Sequence, residues 1–269
     1  MNGIASGRGI CAGVLALPVA ALLAFLALAG APGQYLLTDA VALGIALAWI
    51  ALGRMPQSDL AARILLGALI LLLFVPLLTG PQINGIARWL PLGPVQLHAG
   101  MLAFPAIAVL AAREPRWAPA ILLAALAAAL LQPDGGTAFA ITFSAVGLYH
   151  VTGNWRVAVV CIVAFFAALV ATINGELAPQ EFVERVFQTA FAIQPIIALT
   201  LALALAASFA LMLFAIPHNR PARFALAGAL FGFFIIALMN TYPFPLIGHG
   251  AASILGFGFA LGLVRKEAP

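Results

Sequence analysis

The chain has 269 residues, of which 65% are hydrophobic and only 7% charged. A soluble domain carries about 25% charged residues, so this chain cannot clothe itself in a water-facing surface, and its apolar runs leave no room for a separate soluble domain. It reads as a polytopic membrane protein, and its formal charge of +4 fits Arg-enriched cytoplasmic loops rather than a nucleic-acid partner.

The first apolar run, "GICAGVLALPVAALLAFLALAGAPG", follows Arg8 and ends in small residues, as a signal peptide does. It is long for a signal-peptide core and is read as an uncleaved first span. A helix needs about 20 residues to cross the hydrocarbon. Spans are expected near 10–30, 36–53, 61–79, 97–112, 117–132, 136–152, 155–173, 190–216, 223–240 and 248–264. The expected fold class is therefore all-α: a multi-pass membrane protein of about ten transmembrane helices, with residues 1–269 forming a single domain. Cys11 and Cys161 fall inside apolar runs and read as small core residues.

Charge placement supports this layout. With the N-terminus in the cytoplasm, Arg8, Arg54, Arg63, Arg113, Arg116, Arg156, Arg220, Arg223, Arg265 and Lys266 fall inside, and only Arg88 and Arg185 fall outside. The positive-inside rule favours this orientation, and an even number of spans puts both termini in the cytoplasm. Asp39, Asp134, Glu176, Glu181 and Glu184 fall at or near the outer face. The two substantial loops, near 80–96 and 174–190, are both outer ones, so any chemistry is expected on the extracytoplasmic side. No internal repeat supports an inverted-repeat transporter.

Four stretches could carry chemistry. In "NGIARWLPLGPVQL", Arg88 and Trp89 read either as an interfacial anchor or as an anion site, since a guanidinium holds phosphate oxygens in bidentate fashion. In "LLQPDGGTAF", Asp134 reads either as the cap of the next helix, accepting from N–H groups near Thr137, or as a paired site residue with Arg88 as partner. In "ELAPQEFVERVFQTAF", an amphipathic helical turn or two is expected, with Glu181 and Glu184 on one face and able to serve as a general base. In "NTYPFPLIGHGAASILGFG", the prolines break a helix and His249 stands where the next begins, either donating to a substrate or satisfying a neighbouring carbonyl. His98, His150, His218 and His249 are far apart, and no H-x-x-x-H or C-x-x-C spacing exists, so no metal site is expected.

Three of these pieces, in order, resemble a known family: "GIARWLPLGPVQL", "LQPDGGTA" and "YPFPLIGHGAASILGFGFALGLV". They are similar to the motifs of the SEDS family (shape, elongation, division and sporulation) of the RodA/FtsW type. The likeness begins near residue 33, where "GQYLLTDAVALGIALAWIALGRMP" resembles the family's second span. Arg88, Trp89, Gln96, Gln132, Pro133, Asp134, Gly136, Thr137, Pro245 and Gly250 match motif positions. The resemblance implies a peptidoglycan glycosyltransferase of the bacterial inner membrane that serves cell shape or division. Such an enzyme polymerises lipid II, a polyprenyl-pyrophosphate glycolipid, on the outer face. It also implies a class B penicillin-binding protein as partner alongside the membrane lipids, and no cofactor; a divalent cation with the pyrophosphate is not indicated. Arg88, Trp89, Gln96, Asp134 and Thr137, at matching positions, are then substrate-binding residues; His249, at a departure from the motif, joins them from its place at the helix start, and Glu184 and Glu181 are the candidate catalytic carboxylates in place of the family's Asp.

The chain departs from the family pattern at several positions. Where the family has Pro-Ser-Glu after the Gln, and soon after a Lys, this chain has Leu97, His98, Ala99 and then Leu102. Gly248-His249-Gly250-Ala251-Ala252 replaces Ser-Tyr-Gly-Gly-Ser. The outer loop between the seventh and eighth spans is short and contains no Asp, whereas the family's carries the Asp thought to be catalytic. Two other readings therefore stay open: a catalytically inactive relative acting as a membrane scaffold, and a small transporter or lipid flippase.

Overall fold

A computed structural model describes residues 2–93 and 95–264. The charged positions Arg265, Lys266 and Glu267, and with them the expected cytoplasmic C-terminus, lie outside the described residues. The elements run α1 (Asn2–Leu28), α2 (Gly33–Leu52), α3 (Asp59–Phe74), α4 (Pro76–Thr79), β1 (Trp89–Leu92), β2 (Val95–His98), α5 (Ala99–Ala111) and α6 (Ala118–Leu131). They continue with α7 (Gly135–Thr152), α8 (Trp155–Asn174), α9 (Val186–Ile193), α10 (Pro195–Phe214), α11 (Arg220–Met239) and α12 (Ala251–Gly262). A helix stands at each of the ten expected spans. Among the described residues, six helical stretches are long and apolar enough to cross a membrane, and α5, α6 and α12 are shorter apolar helices. The protein is an α-helical, polytopic membrane protein.

Local sequence explains where the helices start and stop. Ser58, His98, Asp134, Asn154 and Asn219 each cap a helix with a side-chain acceptor. Pro76 separates α3 from α4, and Pro195 separates α9 from α10 by holding Gln194 extended. The expected span 190–216 is thus two helices with a break at Gln194. A second difference concerns 181–188, expected to be helical throughout. Residues 181–184 form a turn with Phe182 and Arg185 at positive φ, and the helix begins only at Val186. Glu181 and Glu184 therefore do not share a helix face. The expected irregular loop at 80–96 contains the antiparallel hairpin β1–β2 instead, with Trp89 opposite His98 and Pro91 opposite Gln96.

Burial sorts the helices into an inner and an outer set. Every residue of α5 except Leu102 is buried, and α7, α11 and α12 are buried over most of their surface. By contrast α2 shows Leu37, Val41 and Ile45 to the outside at helical spacing, and α8 shows Ile162, Phe166, Val170 and Ile173. These are lipid-facing stripes, since a helix in hydrocarbon gains nothing by hiding such residues. The α7–α11 pair is the most intimate. Gly147 lies on the Phe224 carbonyl of the partner helix, and Gly228 and Gly232 lie on the carbonyls of Phe143 and Phe139. Small residues let backbones approach this closely.

Polar contacts tie one end of the bundle together. Arg8 donates to the carbonyls of Ile50 (2.5 Å), Ala51 (2.6 Å) and Gly53 (2.7 Å), satisfying the free C-terminal end of α2. Arg63 forks onto Glu114 with bonds of 3.0 and 3.2 Å, and Arg113 stands 3.9 Å from Asp59. The hairpin, the 175–185 loop and the 241–250 stretch gather at the opposite end. The expected separation of basic loops from elaborate loops is therefore present as two ends of one bundle.

Candidate functional site

The hairpin, the 177–184 segment and the 243–253 stretch enclose a cavity of about 480 Å³. Its lining includes Arg88, Trp89, Gln96, His98, Glu184 and His249. Five of the sequence-predicted site residues, Arg88, Trp89, Gln96, Glu184 and His249, thus meet at one place, although they are spread over more than half of the chain. The hairpin explains the first three. Gln96 and His98 are two residues apart on one strand and so share a face, and Trp89 is paired opposite His98.

Arg88 is buried, with its guanidinium between two aromatic faces, 4.9 Å from the Trp89 ring centre and 4.8 Å from that of Tyr242. It donates to the Gly175 carbonyl at 3.3 Å, and its Nε has no hydrogen-bond partner among the described residues. Such a cation on a cavity wall is costly unless an anion joins it. Cation–π contacts hold it in place without neutralising it.

Asp134 and Thr137 lie just behind the cavity and do not line it. Asp134 caps α7, accepting from the Thr137 backbone N–H at 3.0 Å and from the Thr137 hydroxyl. His98 Nε2 stands 3.5 Å from the Asp134 carboxylate, outside hydrogen-bond geometry, while His98 Nδ1 accepts from the Met101 N–H at 3.2 Å. That cap fixes the proton of the neutral ring on Nε2, facing the carboxylate. Tyr242 connects the two halves of the site: its hydroxyl accepts from the Gly135 N–H at 3.0 Å and its ring carries Arg88. Gly100 has no side chain to obstruct this meeting; a Cβ there would strike the Thr137 hydroxyl. The sequence offered Asp134 either as the cap of the next helix or as a partner of Arg88. The structure shows the cap, brings Arg88 near with no ion pair between the two among the described residues, and places His98 in contact instead.

Glu184 accepts from the Gln180 N–H at 2.6 Å. Burial raises its carboxyl above the ordinary range, and the Gln180 bond, Arg88 and His98 act in the opposite direction. Glu181 is exposed and lies outside the cavity lining. No cluster of metal-ligating side chains exists among the described residues. Sequence reasoning missed Asp39, Tyr35, Tyr242 and His98 as site residues. Asp39 carried a usable signal, being a single carboxylate inside the apolar run "YLLTDAVALG". His98 stood in the sequence only as a departure from a motif.

No protein-family model matches the chain. A stretch of 153 residues is 33% identical to the probable peptidoglycan glycosyltransferase FtsW of Halorhodospira halophila, covering 51% of this chain and 36% of that protein's length. The crystal structure of the rod shape determining protein RodA of Thermus thermophilus is similar over 93% of both chains, with a TM-score of 0.69 and 26% identity. A chain of a peptidoglycan synthase complex that coordinates polymerization and crosslinking shares the fold, with a TM-score of 0.62 and 24% identity over 92% of this chain. The fold defines a polytopic helical membrane protein with a RodA-like architecture. The chain is similar in sequence to an FtsW over half its length and in fold to a RodA over nearly all of it.

Proposed function

We propose that this protein binds a polyprenyl-pyrophosphate glycolipid of the lipid II kind in the cavity and polymerises its sugars in peptidoglycan assembly. The reading places the protein as a single domain of ten spans in a bacterial cytoplasmic membrane, both termini inside and the cavity outside. The observation that carries it is Arg88: a buried guanidinium, cradled by two aromatic rings and with an unsatisfied Nε, on the wall of a cavity large enough for a phosphorylated headgroup. Trp89 and Gln96 offer a stacking face and a hydrogen-bonding amide to the sugars, and Asp134 with Thr137 hold the floor in place.

Glycosyl transfer needs two things of such a site. Negative charge must be stabilised on the departing pyrophosphate, which Arg88 can do. A proton must be taken from the attacking sugar hydroxyl. The wall offers two groups able to take it, the Glu184 carboxylate and the His249 imidazole. A class B penicillin-binding protein is the proposed partner. A second reading, a catalytically inactive scaffold, is favoured by the absence of any Asp from the 175–185 loop.

The test is polymerisation of labelled lipid II by the purified full chain, with and without the partner, next to direct binding of lipid II. Polymer formed by the wild type and lost in Arg88→Ala supports the enzyme. Binding without polymer, with a partner captured by cross-linking, supports the scaffold. Failure to bind lipid II at all overturns the glycolipid reading, and movement of lipid II across sealed vesicles would replace it with transport.

A further inference from the structure

Asp39 is fully buried in the outer half of α2, within an otherwise apolar stretch. A carboxylate so placed needs partners, and it has two: His249 Nδ1 at 2.9 Å and the Gly250 N–H at 3.1 Å. Gly250 turns its N–H toward the carboxylate by taking φ +149°, which side-chain-bearing residues rarely adopt. Tyr35, one helical turn before Asp39, stacks on the imidazole with ring centres 3.8 Å apart and planes within 9° of parallel. The imidazole is thus fixed at its edge by a carboxylate and on its face by a phenol ring. With Nδ1–H donated to Asp39, Nε2 carries the free lone pair, and His249 lines the cavity. Glu184 is differently engaged, because its carboxylate braces its own turn through the Gln180 N–H.

We infer that Asp39 and His249 form the proton-accepting pair of this cavity, an assignment that rests on the glycolipid reading above. The acceptor sugar hydroxyl attacks the anomeric carbon of the donor. The new C–O bond forms as the C–O bond to the pyrophosphate breaks, and the electron pair leaves with the polyprenyl pyrophosphate beside Arg88. The hydroxyl proton passes to His249 Nε2 and then to water once the product has moved on. Asp39 acts through His249, as a positioning residue: it holds the tautomer and compensates the positive charge that the ring gains during transfer.

The experiment measures lipid II polymerisation and lipid II binding side by side for the full chain and its variants, with and without the penicillin-binding partner. His249→Ala is expected to lower kcat by about 100-fold or more, in the range of general-base catalysis, with lipid II binding unchanged. Added imidazole should restore about a tenth or more of the rate, because the vacated space admits it. Asp39→Asn removes the charge and keeps an oxygen for only one of the two hydrogen bonds, since His249 and Gly250 use different carboxylate oxygens; it should lower kcat by about tenfold or more while KM stays the same. Glu184→Gln should lower kcat less than His249→Ala does and should gain no rate from added imidazole. A His249→Ala protein of near wild-type rate overturns the pair and leaves the glycolipid reading intact. So does an inactive His249→Ala protein that imidazole does not rescue while Glu184→Gln is also inactive. A wild-type protein that forms no polymer overturns both the pair and the polymerase reading.

Discussion

Arg88 and Tyr242 stand face to face, the guanidinium 4.8 Å from the ring centre, while the Tyr242 hydroxyl accepts from the backbone N–H of Gly135 at the start of α7. One side chain therefore fixes both the cation of the cavity and the helix end behind it. Arg88→Lys would keep the charge but lose the planar fork and its stacking. Lipid II binding should weaken about 10-fold or more, the equivalent of one charge-assisted hydrogen bond. Tyr242→Phe should keep the ring under Arg88 and change binding little, while lowering the thermal midpoint. A binding titration and a melting curve on the same two variants separate the two roles.

The Tyr35 stack on His249 adds area and orientation to the ring without a hydrogen bond of its own. Tyr35→Phe should preserve it. Tyr35→Ala should remove about 0.5–1.5 kcal/mol of stacking and lower the polymerisation rate more than it lowers lipid II binding. Equal losses in rate and binding would show that Tyr35 serves the cavity wall and not the imidazole.

Asp134 tests architecture. It caps α7 through two bonds to Thr137 and is enclosed on all sides. Asp134→Ala should cost about 1–3 kcal/mol, the loss of a helix cap plus an N–H left unsatisfied. Asp134→Asn should recover part of this, since an amide oxygen still accepts from the Thr137 N–H. Thermal unfolding in detergent reads both. If the two variants melt alike, the negative charge beside His98 matters more than the cap.

His218 predicts a pH dependence at the other end of the bundle. It lies between α10 and α11, with its Nε2 3.1 Å from the Ala260 carbonyl. Burial pushes its pKa from 6.5 down to about 4, against the Ala260 bond and with help from Arg223. The unfolded chain thus binds a proton that the folded one refuses. The contribution to stability is full above pH 6.5 and is lost as the pH falls through about 4. A melting series from pH 7 to pH 4 should show this slope, and His218→Gln should flatten it.

The α7–α11 contact is the most sensitive to added volume. A Cβ at Gly228 or Gly232 would press on a backbone carbonyl, which cannot yield as a flexible side chain can. Gly228→Ala and Gly232→Ala should each cost about 1–3 kcal/mol, while Gly44→Ala, in open space on α2, should be neutral. Thermal midpoints of the three variants in detergent check the contrast.

Hydrophobic runs and the sorting of arginines made the helices legible, because a span announces itself by composition alone. The breaks within them were harder to read. Pro195 ends one helix and opens the next, yet the apolar run continues through it. The 181–184 turn has the residue pattern of a helix and depends on contacts that sequence does not display: the Val183 carbonyl accepts from Phe244 N–H, and the Phe182 carbonyl accepts from His249 N–H. The site was half legible. Arg88 and His249 announced themselves as polar residues in apolar company, but His249's partner is 210 positions away. Neither periodicity nor spacing connects two residues so distant, and only the packing of α12 against α2 does.

The short helix α5 has a further consequence. Its 13 residues rise about 20 Å, against about 30 Å of hydrocarbon. Arg113, beyond one end, joins the polar cluster with Asp59, so the other end, where His98 caps the helix, stops about 10 Å short of the opposite headgroups. The floor of the cavity is thus sunk below the surface of the leaflet, as a well rather than a platform. On the glycolipid reading, a phosphate that meets Arg88 does so below that rim, in a space whose lining includes Met101 of the buried α5.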